Sequence, residues 1–563
     1  MRILLLAHAF NSLTQRLHVE LTALGHEIAV EFDIHARVTE EAVKLFRPEL
    51  VIAPFLKRAI PESVWRGHRC LVVHPGIRGD RGPSSLDWAV QEGETDWGVT
   101  LIQANGEMDA GDIWGWREFP MRMASKASLY RHEVTEAAVS LVLEAVEQAR
   151  DPAFHGVPLD DTGPGRRGRS RPALRQSERR IDWKSDDTAT ILRKIRAADG
   201  VPGALDELLG LRCHLFDAHR AKTRQGGAPG EVVGRREEAV LRATVDGAVW
   251  IGHLKGAGDA QALKLPAAHL LGARFDALPE YAPAPNDGQG YRAVRYREAN
   301  GVGVLDFEFY SGAMGTRQCE RLARAIRYAK QRPIRVLALM GGADFWSNGI
   351  HLGLIEAAAS PADESWANIN AMNDLVLEIL SCERQLTIAA LQGNAGAGGV
   401  FLALAADRVL ARRGVLLNPH YKSMGNLYGS EYWTYLLPRR VGAAGARAIV
   451  DRRLPLGAAQ AASLGLVDAA LPGDAAEFRA QLSEIAAELA CRSDFAALIE
   501  AKRARRAADE ARKPLAAYRA EELERMKRNF FGFDTSYHVA RHHFIHKLPK
   551  SRTPLWLAPH RAG

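Results

Sequence analysis

The chain has 563 residues, of which 47% are hydrophobic and 25% are charged, a composition typical of globular proteins. At roughly 100–200 residues per domain, this length predicts about three to five structural units. The 74 Lys and Arg residues against 67 Asp and Glu residues leave a net charge of only +7, which does not indicate a nucleic-acid-binding protein.

The five cysteines stand far apart, and none belongs to a Cys-x-x-Cys pair. This spacing excludes a zinc ribbon or an iron–sulfur framework and is typical of a reducing compartment. No stretch approaches the roughly 20 apolar residues that a membrane-spanning helix needs. The apolar run at 3–7 fits a first β-strand better than a signal peptide. We therefore expect a cytoplasmic protein that does not insert into a membrane.

The first 155 residues alternate between short apolar runs and helix-like segments. The runs cover 3–7, 27–32, 50–54 and 71–74, and this alternation predicts βαβ units on a parallel sheet. No Gly-x-Gly-x-x-Gly follows the first run, so a dinucleotide-binding fingerprint is absent. Residues 156–178 are rich in Gly, Pro and Arg, and they predict a linker.

The rest of the chain divides into three further parts. Residues 179–277 contain short strand-like runs, which predict a small β-barrel; the runs are 211–218, 231–233, 239–243 and 248–254. After a second predicted linker at 278–290, the α/β alternation resumes over 291–475, with strands at 303–309 and 335–340 and a helix at 316–330. Residues 476–563 are expected to be almost wholly helical.

A histidine ends the fourth predicted strand, and an aspartate lies in a loop that follows the next strand. These residues are His74 and Asp109. Because parallel α/β sheets place sites at the carboxyl ends of their strands, the pair could polarise a carbonyl and move a proton. The alternative is a buried structural histidine, with Asp109 as a turn residue.

Two Gly-rich strand-to-helix turns, about Gly349 and Gly398, lie some 50 residues apart. Glycines in such turns let backbone N–H groups converge on an anion. Downstream, Tyr421 and Glu431 lie in an aromatic-rich segment. Burial there would raise the pKa of Glu431 and suit it to act as a base near neutral pH. The alternative is an aromatic core stripe with a surface glutamate.

The C-terminal region places three histidines four residues apart on one predicted helical face: His538, His542 and His546. A metal site is one interpretation. With no cysteine or acidic residue nearby in the sequence, we assign no metal and favour packing or contact with coenzyme A phosphates.

Residues 1 to about 150 resemble the formyltransferases that use N10-formyltetrahydrofolate, and the region from 181 resembles their OB-like second domain. The resemblance implies that His74 and Asp109 are catalytic. It also implies a loop that binds the formyl donor, consisting of Arg81, Gly82, Ser84 and Ser85. One departure is that Val72 replaces the family's asparagine, which donates a hydrogen bond to the formyl oxygen. Either another donor substitutes, or the acceptor differs, or the site binds without catalysing.

Residues 291–475 resemble the enoyl-CoA hydratase/isomerase (crotonase) family, which implies a ββα spiral followed here by a helical tail. The resemblance implies that Gly349 and Gly398 supply two backbone donors to a thioester carbonyl. The two glutamates of the hydratases fall on Phe401 and His420. Since phenylalanine cannot move protons, we do not expect alkene hydration.

Across the whole chain, the combination resembles the HypX/HoxX family of nickel–iron hydrogenase maturation factors. The resemblance implies an enzyme that makes the CO ligand of the hydrogenase iron. It would transfer a formyl group from N10-formyltetrahydrofolate to coenzyme A and decarbonylate formyl-CoA to CO and coenzyme A. His74 and Asp109 would serve the first step, and Tyr421 and Glu431, with His420 nearby, the second.

The partners expected from this resemblance are formyl-folate and coenzyme A, with transient contact to other hydrogenase maturation proteins or the hydrogenase large subunit. We expect a monomer that binds no nucleic acid. Three alternatives remain. One is a formyl-CoA hydrolase or formyl carrier that yields formate, another is a non-catalytic assembly scaffold that binds folate or coenzyme A, and the weakest is a tRNA formyltransferase.

Overall fold

The computed structural model describes residues 1–165, 168–221, 226–282 and 291–562. The chain divides into two compact units. One comprises residues 1–292 together with 549–563, and the other comprises residues 293–548. The part of the predicted second linker from 283 to 290 lies outside the described residues. Within those residues, none of the helices combines the length and apolar composition that a membrane crossing requires.

The first unit begins with a six-stranded sheet flanked by helices. Its strands are β1 Arg2–Ala7, β2 Glu27–Phe32, β3 Leu50–Phe55, β4 Cys70–His74, β5 Asp96–Gln103 and β6 Ile113–Pro120. Its helices are α1 Ser12–Ala23, α2 Ala36–Phe46, α3 Glu62–Trp65, α4 Ser85–Glu92, α5 Lys126–Leu129 and α6 Thr135–Gln148. The four apolar runs of the sequence are thus confirmed as β1 to β4.

The predicted parallel sheet is confirmed for β1 to β4, and two further strands, β5 and β6, extend it in antiparallel orientation. The strand order is β2-β1-β3-β4-β5-β6, and the first four strands are parallel. In contrast, β5 runs antiparallel to β4, and β6 runs antiparallel to β5. The antiparallel β5–β6 pair follows from the short connection between these two strands, because nine residues can reverse a strand but cannot form the helical crossover that a parallel pair needs.

A second sheet completes the first unit. Its elements are α7 Gln176–Arg179, α8 Thr188–Ala197, β7 Ala204–Leu208, β8 Leu211–Arg220, β9 Val232–Arg236, β10 Ala239–Ala243, β11 Ala248–Gly256, β12 Lys264–Pro266, α9 Ala267–Leu271 and α10 Ala273–Asp276. The pairing order is β7-β8-β11-β10-β9, with β12 on β11. Among the described residues no pairing joins β7 to β9, so the predicted barrel is an open sheet. The outer edge of β9 is occupied instead by the segment near Glu280, which pairs with Arg235.

The described parts of the predicted first linker are ordered against the loop that follows β4. Ser170 forms a β-bridge with Arg81, and the Leu174 N–H donates to Ser84 Oγ (3.1 Å). The C-terminal residues 549–562 also belong to this unit. Their Thr553, His560 and Arg561 side chains surround the fully buried carboxylate of Glu31 on β2.

The second unit contains two sheets and ten α-helices in its described residues. The strands are β13 Val294–Ala299, β14 Val302–Phe307, β15 Val336–Gly341, β16 Phe345–Ser347, β17 Leu386–Leu391, β18 Asn394–Gly396, β19 Arg408–Arg412, β20 Leu416–Asn418, β21 Leu456–Gly457 and β22 Ala469–Leu471. The helices are α11 Thr316–Lys330, α12 Leu352–Ala357, α13 Pro361–Leu380, α14 Gly398–Leu404, α15 Trp433–Arg452, α16 Ala458–Ser463, α17 Ala475–Cys491, α18 Phe495–Arg512, α19 Leu515–Phe531 and α20 Ser536–Ile545.

Consecutive strands of this unit alternate between two sheets: β15, β17 and β19 belong to the larger sheet, and β16, β18 and β20 belong to the smaller. The larger sheet has the order β13-β14-β15-β17-β19-β22, and the smaller has the order β16-β18-β20-β21. A long strand of the first sheet is therefore followed by a short strand of the second and then by a helix, which confirms the predicted ββα repeat. Because β16, β18 and β20 are parallel neighbours, the residues that follow them meet at one edge.

Candidate functional sites

The first candidate site is built around the buried imidazole of His74, the last residue of β4. Its Nε2 lies 3.1 Å from Asp80 Oδ2, and its Nδ1 lies 3.5 Å from Asp109 Oδ1. His74 is 4% exposed and Asp80 is 1% exposed. A proton on either ring nitrogen therefore faces a carboxylate, an arrangement that orients the ring.

Asp109 lies beside His74 as expected, but the two residues do not follow adjacent strand ends. We had expected adjacent strand ends, but β5 runs antiparallel, with Thr100 opposite His74 and Gln103 opposite Leu71. The carboxyl end of β5 is thus at the amino end of β4. The loop that follows β5 folds back to His74, and Asp109 itself adopts a left-handed conformation (φ 54°).

Asp80 is the residue that sequence reasoning missed at this site. The signal available was an acidic residue six positions after His74, in a loop already singled out. Gly76 makes room for the pair, since a Cβ there would lie 2.4 Å from His74 Nε2 and 2.7 Å from Asp80 Oδ2. Asp80 Oδ1 is buried and has no hydrogen-bond partner among the described residues.

The four loop residues predicted to bind the formyl donor all lie near this site but have local partners. The Gly82 N–H donates to Asp109 Oδ2 (3.2 Å). Arg81 pairs with Glu107 (2.6 Å), Ser84 accepts from the Leu174 N–H of the predicted linker, and the Ser85 hydroxyl donates to the Pro75 carbonyl (2.9 Å). Arg81 and Gly82 therefore shape the site, whereas the two serines hold its loop in place.

The second candidate site lies at the edge where β16, β18 and β20 end. Gly349 follows β16, and Gly398 follows β18 as the first residue of α14. Their backbones are close, because a Cβ on Gly349 would lie 3.2 Å from the Gly398 nitrogen. The Gly349 N–H donates to Ser347 Oγ (3.1 Å), so it becomes available to a ligand only when that hydroxyl turns away.

The Glu431 carboxylate lies directly against Gly398. A Cβ at Gly398 would lie 2.2 Å from Glu431 Oε1, so only glycine fits under the carboxylate. The Tyr421 hydroxyl donates to Glu431 Oε2 (2.5 Å). The Tyr421 ring stacks on Phe401, with centroids 5.5 Å apart. The structure thus brings together the backbone donor and the two polar side chains that the sequence had singled out.

Burial gives Glu431 the property expected of a base near neutral pH. The side chain is 1% exposed. The pKa of Glu431 is raised to about 7, chiefly by burial; the hydrogen bond from Tyr421 lowers it and the nearby Glu522 carboxylate raises it, and both effects are smaller than that of burial. The expectation of a raised pKa is therefore confirmed, and the alternative of a surface glutamate is wrong.

Glu522, on α19, is a second buried carboxylate that the sequence did not reveal as part of the site. It accepts hydrogen bonds from the Tyr432 N–H (2.9 Å), the Thr434 N–H (2.9 Å) and the Ser430 hydroxyl (3.3 Å). Glu431 and Tyr432 both have positive φ angles, a conformation that costs roughly 1–3 kcal/mol per non-glycine residue. The contacts of Glu522 therefore help to hold the strained turn that presents Glu431.

His420 lies at the same strand edge, after β20, but no contact among the described residues joins it to Glu431. Burial and the nearby Arg453 lower the pKa of His420 to about 4. Its ring is consequently neutral near pH 7, where it could accept a hydrogen bond or donate one but would carry no charge.

Comparisons with known protein families agree with the resemblances stated for the N-terminal and the C-terminal parts of the chain. Residues 31–146 match the Formyl transferase family, residues 173–264 match the Formyl transferase C-terminal domain, and residues 310–548 match the Enoyl-CoA hydratase/isomerase family. The fold and sites thus define a formyltransferase region joined in one chain to a crotonase-type domain.

Two relatives that match over their full length identify the family within this class. The chain is 58% identical to the hydrogenase maturation factor HoxX of Bradyrhizobium diazoefficiens, over 100% of this chain and 97% of that protein. It is 48% identical to HypX from Aquifex aeolicus, solved in complex with tetrahydrofolic acid, with a TM-score of 0.95 and coverage of 100% and 99%. The chain belongs to the HypX/HoxX family of hydrogenase maturation factors. A methionyl-tRNA formyltransferase of Sorangium cellulosum is 30% identical over only 36% of the chain.

Proposed function

We propose that this protein makes carbon monoxide for the hydrogenase iron in two steps, using N10-formyltetrahydrofolate and coenzyme A as substrates. The first step moves the formyl group from folate nitrogen to the coenzyme A sulfur. The second converts formyl-CoA to CO and free coenzyme A. We place both steps in the cytoplasm.

His74 and Asp109 serve the first step in this proposal. As the thiol attacks the formyl carbon, the C–S bond forms, the C–N bond breaks, and the thiol proton moves by way of the imidazole to the folate nitrogen. Asp80 and Asp109, on opposite sides of the ring, hold the imidazole in the orientation in which it relays this proton. A thiolate is an intrinsically strong nucleophile. In this proposal it therefore reacts although Val72 stands where the formyltransferases have an asparagine that donates to the formyl oxygen.

Tyr421 and Glu431 serve the second step. With a pKa of about 7, Glu431 is substantially ionised at neutral pH and can accept the formyl proton. The C–S electron pair leaves with sulfur, which takes up a proton to give the thiol, and CO is released. The Gly398 N–H, and the Gly349 N–H once Ser347 has turned, would donate to the carbonyl oxygen. Removing one donor of this kind typically costs about 3–4 kcal/mol.

The observation that carries this proposal is the 2.5 Å hydrogen bond between Tyr421 and a buried Glu431 that packs on Gly398. An ordinary hydratase needs an acid or base where Phe401 stands. Here that ring is stacked on Tyr421 instead, which favours proton removal from one side without addition of water.

The test combines the purified protein, N10-formyltetrahydrofolate and coenzyme A, with reduced haemoglobin as a spectral trap for CO. We expect CO only when both compounds are present, and its loss in Glu431→Gln. Formate without CO would instead identify a formyl-CoA hydrolase. Binding of both compounds without turnover would identify a scaffold, and formylation of initiator tRNA would identify a tRNA formyltransferase.

A further inference from the structure

A second cluster of ligand-type side chains lies in the same unit, outside the proposed catalytic residues. Glu356, on α12, faces His542 and His546, on α20. Glu356 Oε1 lies 2.7 Å from His542 Nδ1 and 3.2 Å from His546 Nε2. One ligand atom from each residue lies within 4.8 Å of the other two. The acidic residue that accompanies the two histidines is therefore distant in the sequence: Glu356 and His542 are 186 residues apart.

His538, the third histidine predicted on this helical face, is excluded from the cluster by its own contacts. His538 Nε2 is 2.9 Å from the Phe530 carbonyl oxygen, and His538 Nδ1 is 2.7 Å from an Arg541 nitrogen. His542 and His546, one helical turn apart, have ring centroids separated by 4.3 Å. The fold therefore selects two of the three histidines and adds one carboxylate.

We propose that Glu356, His542 and His546 bind a divalent transition metal ion of the zinc type, with a fourth position open to water or another ligand. Two imidazoles and a carboxylate are a donor set that such ions favour. Metal–ligand bonds of about 2.0–2.1 Å place tetrahedral ligands roughly 3.3 Å apart. The observed separations of 2.7 and 3.2 Å come within about half an ångström of that spacing.

The neighbours of the cluster are suited to this role. Arg541 Nε donates to Glu356 Oε2 (2.7 Å), which leaves Oε1 aimed at the two histidines. Metal-binding carboxylates are commonly held by such an outer hydrogen bond. The side chains of Glu356 and His546 are 10% and 13% exposed, whereas that of His542 is 45% exposed. The site is thus accessible from the His542 side.

The position of Glu356 gives the ion a structural consequence. Helix α12 begins at Leu352, three residues after Gly349. The His351 side chain caps that helix through the Leu354 N–H (3.0 Å). A metal ion shared by α12 and α20 would therefore fix the helix that immediately follows the proposed oxyanion turn.

The test uses the full-length, tag-free chain, stripped with a chelator and then equilibrated with Zn²⁺ in competition with a chromophoric chelator. We expect about one Zn²⁺ per chain. His542→Ala and His546→Ala should each weaken binding at least about ten-fold, and Co²⁺ in place of Zn²⁺ should give the visible absorption of a tetrahedral complex. The matched control is His543→Ala, an exposed histidine on the same helix, which should bind as the wild type does.

Circular dichroism spectra of the variants establish that each is folded before its affinity is compared. The proposal is overturned if the wild type binds no more Zn²⁺ than a His542→Ala/His546→Ala double variant. It is equally overturned if His543→Ala weakens binding as much as His542→Ala does. Neither result depends on formyl transfer or CO release, so the proposed function and the metal site stand or fall separately.

Discussion

Substitution of Glu431 by glutamine should stabilise the protein at alkaline pH while removing the proposed activity. Raising a carboxyl pKa from 4.5 to about 7 means that ionised Glu431 opposes folding. At about 1.4 kcal/mol per pH unit, the full effect is about 3 kcal/mol. A raised acid pKa costs nothing below the unfolded value of 4.5, and the cost grows until the pH passes 7. Glutamine, which resembles the protonated acid, carries no such cost.

The assay is calorimetric unfolding of the wild type and of Glu431→Gln between pH 5 and pH 8. The free energy of unfolding of Glu431→Gln should exceed that of the wild type by an amount that grows by about 2–3 kcal/mol over this range. This growth corresponds to roughly 5–10 °C in the transition temperature of the 293–548 unit. The control is Glu320→Gln, which removes the same charge from an exposed position of that unit. If the difference between Glu431→Gln and wild type does not change with pH, the assignment of a raised pKa is wrong.

Three further experiments probe the two sites. Gly398→Ala should reduce CO release at least about 100-fold, because its Cβ would displace the Glu431 carboxylate; near-normal release would contradict the proposed packing. His74→Ala should abolish CO formation from formyl-folate yet leave the conversion of added formyl-CoA intact, and loss of both would show that the steps are not separate. Glu522→Gln removes a charge that raises the pKa of Glu431, so the rise of CO release with pH should move to lower pH, whereas a uniform loss without this movement would indicate only a structural role.

The local pattern of the sequence located ten of the strands and helix α11. Helix α11 and strands β2 and β10 begin and end where the pattern predicts, because apolar periodicity and turn residues act over a few positions. The same local reasoning located His74, Gly349, Gly398 and the aromatic segment around Glu431. Each lies at a strand end or in a turn whose residue types are visible in the sequence.

Contacts between distant segments were decided by the tertiary structure. The sequence placed Asp109 near His74 for the wrong reason, since strand direction depends on how a chain reversal packs on the sheet. Glu522 reaches the turn at Ser430 from 92 residues away, and Glu356 meets His542 across 186 residues. No periodicity relates such residues, because their proximity follows from the packing of whole helices. The sequence by itself therefore determined the elements and the principal chemical groups, whereas the fold decided which carboxylates accompany them.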